Sequence, residues 1–240
     1  MAMNIPGELA WVLDMLGYEW PQLDEDEIRR AAAIVRQFKT DLEGSIEEAH
    51  RYISDDVTGA LSAQTAQSYV SAWNTTRESH MNQLVGLLDP AAQGIEIFAD
   101  AVVALKIKVI AELTITAAQI AEAAATAVVT LGASAAVNAG IIALRKKALD
   151  IATDLAVGEL AGKLLELVTD PLTNVASSLA TAILDAPLVE GAMGDVAEYK
   201  ADLDALERTA GDLNRTANDQ ERLGHDFIAQ ISALDIFTAG

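Results

Sequence analysis

Apolar residues along this chain recur at helical spacing. Ile28, Val35, Leu42 and Ala49 follow one another every seven residues, Ala31, Phe38, Ser45 and Tyr52 form a companion row, and charges fill most of the gaps. That pattern predicts a coiled-coil-like helix. Asp24, with Glu27 three residues later, reads as a capping box that opens it, and the Asp, Thr and Gly gathered from Asp56 to Gly59 predict its end. Ala66, Tyr69, Val70, Trp73, Met81, Leu84, Val85 and Leu88 then recur mostly every three or four residues, so a second helix folds back antiparallel to the first. Ahead of this hairpin, Leu9, Trp11, Val12, Leu13 and Leu16 predict a short helix that stops at Gly17, followed by a turn at Trp20-Pro21.

Asp89-Pro90 has the form of a cap followed by a proline in the first helical position, and Asp170-Pro171 repeats it. The residues between these marks lack proline and consist mainly of Ala, Ile, Leu and Val, which predicts one or two long helices interrupted near Gly132 to Gly140. A shorter helix is expected from Pro171 to Asp185-Ala186-Pro187, then a loop over Gly191 to Gly194. The end of the chain returns to heptads, with Val196, Leu203, Ala210 and Ala217 on one seam and Tyr199, Leu206, Leu213 and Phe227 on the other. The expected fold is all-α: an elongated helical bundle in which an antiparallel hairpin is extended by a long Ala-rich helical hairpin, with the terminal heptad helix packing back. The divisions fall at 1–89, 90–190 and 191–240, as parts of one continuous unit.

Composition narrows the function. The chain has 36 acidic against 16 basic residues, a formal charge of -20, so phosphate backbones and anionic lipid headgroups repel it. No nucleic-acid partner is expected. Without cysteine there is no disulfide, thiolate metal site or cysteine nucleophile. The stretch from Met1 to Trp20 holds no Lys or Arg and lacks the basic start of a signal peptide, so export would need another route from a soluble cytoplasmic state.

Candidate chemistry is sparse. His50, His80 and His225 lie far apart, none paired at helical ligand spacing, and each is expected at the surface or at a helix cap. The carboxylates fall on predicted solvent faces. No phosphate loop and no Gly-Xaa-Ser-Xaa-Gly elbow is present. No catalytic, cofactor-binding or metal-binding residue is therefore expected, and no cofactor. The uncharged run from Ala123 to Leu144 is long enough to cross a bilayer, but it depends on Ala and includes Thr126, Thr130, Ser134 and Asn138. Within it Gly132, Ala136 and Gly140 form a small-residue stripe, suited to close helix packing in a bundle or in a membrane. Arg145, Lys146 and Lys147 follow, to anchor at an interface or to offset a helix dipole.

Two segments carry a family resemblance. At the hairpin turn stands Leu61-Ser62-Ala63, followed by Gln64, Thr65, Ala66, Gln67, Ser68 and Tyr69. This is similar to the turn of the WXG-type superfamily of actinobacterial type VII secretion, with Trp and Gly of the Trp-Xaa-Gly motif replaced. The opening Trp11-Val12-Leu13, Leu16-Gly17-Tyr18-Glu19-Trp20-Pro21 and the acidic Asp24 to Glu27 resemble the start of the N-terminal domain of actinobacterial polymorphic toxins, and of a mycobacterial outer-membrane channel protein carrying a necrotizing toxin.

The resemblance implies a non-enzymatic domain that pairs with a small WXG-type helical protein or with itself, is recognised by the secretion ATPase, and delivers a C-terminal toxin. It implies a secreted or cell-envelope location. Family export signals place Tyr four residues before Asp or Glu, and Tyr52 with Asp56 is the match here, at the end of the first helix. Phe38, Leu42 and Tyr52 on one helix and Tyr69, Trp73 and Met81 on the other are expected to serve packing and a partner helix. A membrane-active channel using Ala123 to Leu144 and a plain structural scaffold stand as alternatives.

Overall fold

A computed structural model of the chain describes residues 2–61, 63–127 and 201–237, and among these every regular element is helical. The class is all-α, as the periodicity predicts. Helices α1 (Ala10–Leu16), α2 (Glu25–Arg51), α3 (Ala63–Thr76), α4 (Asn82–Ala127) and α5 (Leu203–Ser232) are its main elements. The chain divides into two compact units, to both of which α2 and α4 contribute.

The first unit comprises Met1–Arg30, Gly94–Leu165 and Asp235–Gly240. A 3₁₀ turn, Gly7–Leu9, leads into α1. The helix stops where expected because Gly17 takes a φ of 59°, which lets its N–H reach Asp14 O (3.1 Å) while the Tyr18 N–H reaches back to Leu13 O (3.2 Å). That paired closure satisfies two end carbonyls and needs a residue without a Cβ penalty at Gly17. Val12, Leu16 and Tyr18 pack on Leu105, Val109 and Leu113 of α4, with Trp20 and Leu9 at the margin. A second cluster joins Ile28 to Ala99 and Val102, flanked by Leu23, Phe98 and Ile236.

Asp24 caps α2, its Oδ1 accepting from the N–H of Asp26 (2.9 Å) and of Glu27 (3.1 Å). The reciprocal half of the predicted capping box is absent: the Asp24 N–H donates to Ile236 O (2.8 Å), and Glu27 pairs with Arg30 instead. A tail residue has taken the donor that the local motif reserves for Glu27.

The second unit comprises Ala31–Gln93 and Glu166–Leu234. Here α2 continues as a π-helical segment, Tyr52–Val57, and a last turn, Thr58–Ala60. Leu61 is extended (φ -112°, ψ 162°) and α3 begins at Ala63, so the chain leaves the helix at the expected turn. Val35, Ser45 and Ala49 of the predicted rows are buried, and Phe38, Leu42 and Tyr52 partly so. Phe38 stacks on Phe227 of α5, ring centroids 4.5 Å apart. Asp202 ties the start of α5 to the turn: its N–H donates to Ala60 O (2.8 Å), while its Oδ1 caps the N–H of Ala205 (3.0 Å).

Two helix readings are corrected. Pro90 does not start a helix; it lies inside α4, which follows a π-helical segment, Arg77–Met81, and runs through the expected boundary. A proline removes one helical hydrogen bond and crowds the turn before it, but the packing of a 46-residue helix outweighs that local cost. On α5 the expected seam of Leu203, Ala210 and Ala217 faces solvent, with Leu203 73% exposed. Leu206, Leu213 and Phe227 face inward with Thr209 and Thr216, the two buried residues of that helix. The threonines tolerate burial because each hydroxyl donates to a carbonyl one turn back, Ala205 O (3.0 Å) and Asp212 O (3.2 Å). The Gly132 to Gly140 interruption, the Pro171 helix, the Gly191 to Gly194 loop, Val196 and Tyr199 lie outside the described residues.

Candidate partner-binding surface

The strongest electrostatic feature of the first unit is buried. Lys106 projects from the inner face of α4, and its Nζ donates to Glu25 Oε2 and to Leu23 O, both at 2.6 Å; the side chains are 1% and 4% exposed. The Met3 N–H donates to the other carboxylate oxygen, and the Trp20 ring lies 5.9 Å from the ammonium. Burial pushes the Glu25 pKa up, but the hydrogen bonds from Lys106 and Met3 and the Lys106 charge together bring it below the ordinary glutamate value. Glu25 corrects the expectation that carboxylates occupy solvent faces. The clue was available: Lys106 shares its helix face with Val102, Val109 and Leu113, an apolar row that no exposed lysine would join.

In the hairpin, a polar level crosses the α2–α3 seam. The Trp73 Nε1–H donates to His50 Nδ1 (3.1 Å), and Ser54 Oγ lies 3.2 Å from the same nitrogen. Arg77 approaches Glu47 (3.7 Å). Ser45 Oγ, Asn74 Oδ1 and Arg77 Nε are buried without a partner. His50 is thus a tie between helices and not the surface or cap residue expected. His225, on α5, is exposed 3.7 Å from Glu221, and the two do not converge. His80 falls where the side chain is outside the described residues.

Part of the predicted partner seam is engaged within the second unit, Phe38 on Phe227 of α5 and Trp73 on His50 across the hairpin, with Leu42 and Met81 partly buried. Tyr69 remains 44% exposed. Tyr52 turns to Glu48 (3.0 Å), which raises its pKa, and Arg51 lies over its ring at 5.0 Å; Asp56 is exposed in the same π-helical segment. Of the turn residues, Leu61 and Ala63 are placed as above, and Ser62 lies outside the described residues, as do Gly132, Ala136 and Gly140.

An exposed apolar stripe, missed in the sequence, runs along the outer face of α4. Ile97, Ile107 and Ile115 are each about half exposed, with exposed Ala104 and Ala111 between them and Ala118 beyond. At 100° per residue these six fall within one arc of the helix, opposite the buried Val102, Val109 and Leu113. Apolar runs on both faces of one helix blur its periodicity, which is why the sequence shows only a long hydrophobic segment.

Among the described residues no group of His, Cys, Asp or Glu could hold a metal ion, and no helix there is long and apolar enough to cross a membrane. A groove of about 400 Å³ beside α3 is lined by Thr58, Gln67, Ser71, Asn74 and Glu78 among others.

No curated protein and no solved structure matches the chain. A family model described as WXG100 like domain matches residues 6–145, a span that takes in α1, the hairpin and α4. This is more than half of the 240 residues, and the chain belongs to the WXG100-like domain family of type VII secretion-related helical proteins.

Proposed function

We propose that the chain is a non-enzymatic binding and export module of a type VII secretion substrate, which pairs with a small WXG-type helical protein and, in its natural setting, accompanies a toxin domain. The outer stripe of α4 is the observation that carries this reading. An isoleucine row at helical spacing, left uncovered on a long helix, is the surface into which a second helix packs its own apolar ridge. Secretion by a signal-peptide-independent route and recognition by the secretion ATPase accord with the family. Tyr52 and Asp56 remain the candidate export signal, and 1–89, 90–190 and 191–240 the proposed structural divisions of one continuous unit.

The test is copurification of the full chain with a small WXG-type helical protein encoded by a neighbouring gene of its source genome. Wild type is expected to capture that neighbour, and Ile107→Glu combined with Ile115→Glu to weaken capture by at least about tenfold with an unchanged helical circular-dichroism spectrum. Undiminished capture by the folded variant removes the stripe from the reading. Failure of the wild type to capture the neighbour, with dye release from lipid vesicles, moves the case to the membrane-active alternative built on Ala123 to Leu144.

A further inference from the structure

An indole N–H can donate a hydrogen bond but never accept one. Trp73 on α3 gives its N–H to Nδ1 of His50 on α2, 3.1 Å away, and a ring nitrogen accepts only while it carries no proton. The hairpin therefore uses the neutral imidazole, with its proton on Nε2. A second proton, added at Nδ1, would set two donors against each other at the same short distance.

We propose that His50 and Trp73 form an acid-released tie, closed across the α2–α3 hairpin at neutral pH and opened when His50 takes up a proton. Ser54 Oγ, 3.2 Å from Nδ1 and 3.3 Å from Nε2, can accept from the charged ring, so what protonation removes is the acceptor of the Trp73 N–H. On its own helix His50 stands beside Glu47, Glu48 and Arg51; Glu48 is engaged by the Tyr52 phenol and Arg51 lies over the Tyr52 ring. From the second helix comes Arg77, which is paired with Glu47. From α5 comes Asp212, whose charge reaches Tyr52 and which pairs with Arg215.

Ser45 Oγ, Asn74 Oδ1 and Arg77 Nε already lack partners in this part of the hairpin. Loss of the tie adds a further unpaired group to an incompletely satisfied layer, where local opening costs little. The sign follows from the ring's role. The tie is present with the neutral ring and lost with the charged one, so its contribution disappears on acidification.

The test is a titration of the full-length, ¹⁵N-labelled chain from about pH 7.5 to 5, the range in which histidines change charge. Trp73→Phe identifies the Trp73 indole among the three tryptophans. The indole N–H signal of Trp73 is expected to move in step with the His50 ring, and hairpin amides around Trp73 to exchange on the order of tenfold faster at the acid end. In His50→Gln, whose amide oxygen accepts at every pH, both responses should vanish. The tie is refuted if the indole signal stays still while His50 titrates, or if folded His50→Gln keeps the acid response. Should His50→Gln not fold, the wild-type titration decides alone.

Discussion

Single residues here act through what they are denied as much as through what they touch. Glu25 and Lys106 are withdrawn from water and must therefore answer each other. Lys106→Met leaves Glu25 buried without its cation and is expected to cost about 3–5 kcal/mol in urea unfolding. The double variant Glu25→Leu with Lys106→Met should regain most of that, since a pair of apolar groups carries no desolvation penalty. Because the folded pKa of Glu25 is depressed, its stabilisation is complete above its unfolded value and disappears as pH falls through the folded one. Glu25→Gln should accordingly flatten the acid limb of stability against pH, as measured by denaturant unfolding at a series of pH values.

At the scale of elements, the helices obey their local signals at the ends and override them in the middle. Gly17 closes α1 and Asp24 opens α2 as their residue types dictate. Pro90 fails to break α4, although it deprives the Gly86 carbonyl of its helical partner. Pro90→Ala is thus expected to raise stability, by about 1–3 kcal/mol, visible as an increase in the urea midpoint with an unchanged slope. The α2 rows were legible because charges separate them. The α5 seam departs from the heptad expectation because two threonines occupy inward positions that hydropathy assigns to leucine or alanine, and only their back-bonds to carbonyls make that placement tolerable.

For the molecule as a whole, the formal charge of -20 is the dominant long-range term. Its acids concentrate at both ends of the chain, thirteen in residues 1–60 and ten in 191–240, so like charges are gathered when the segments fold. Raising ionic strength from about 0.01 to 0.15 M shortens the screening length from about 30 to 8 Å. The melting temperature is expected to rise over that range, a shift that calorimetry would record and that a charge-balanced bundle of this size would not show. Under the proposed function, family membership and the exposed isoleucines of α4 join at this scale, since a module that acts by binding needs a helical face left open to its partner.

The amino-acid order by itself determined the all-α class, the hairpin with its turn near Leu61, the first helix ending at Gly17, and the family resemblance at both places. These follow from period and from residues with narrow backbone preferences, and both act within a few residues of chain. What only the tertiary structure decided is which face each helix hides. Glu25 meets Lys106 across 81 residues, Trp73 finds His50 across 23, and Asp24 gives its N–H to Ile236. Such partners are chosen by proximity in the folded state. A buried polar group needs a partner to offset its lost hydration, and the chain brings that partner from wherever packing places it.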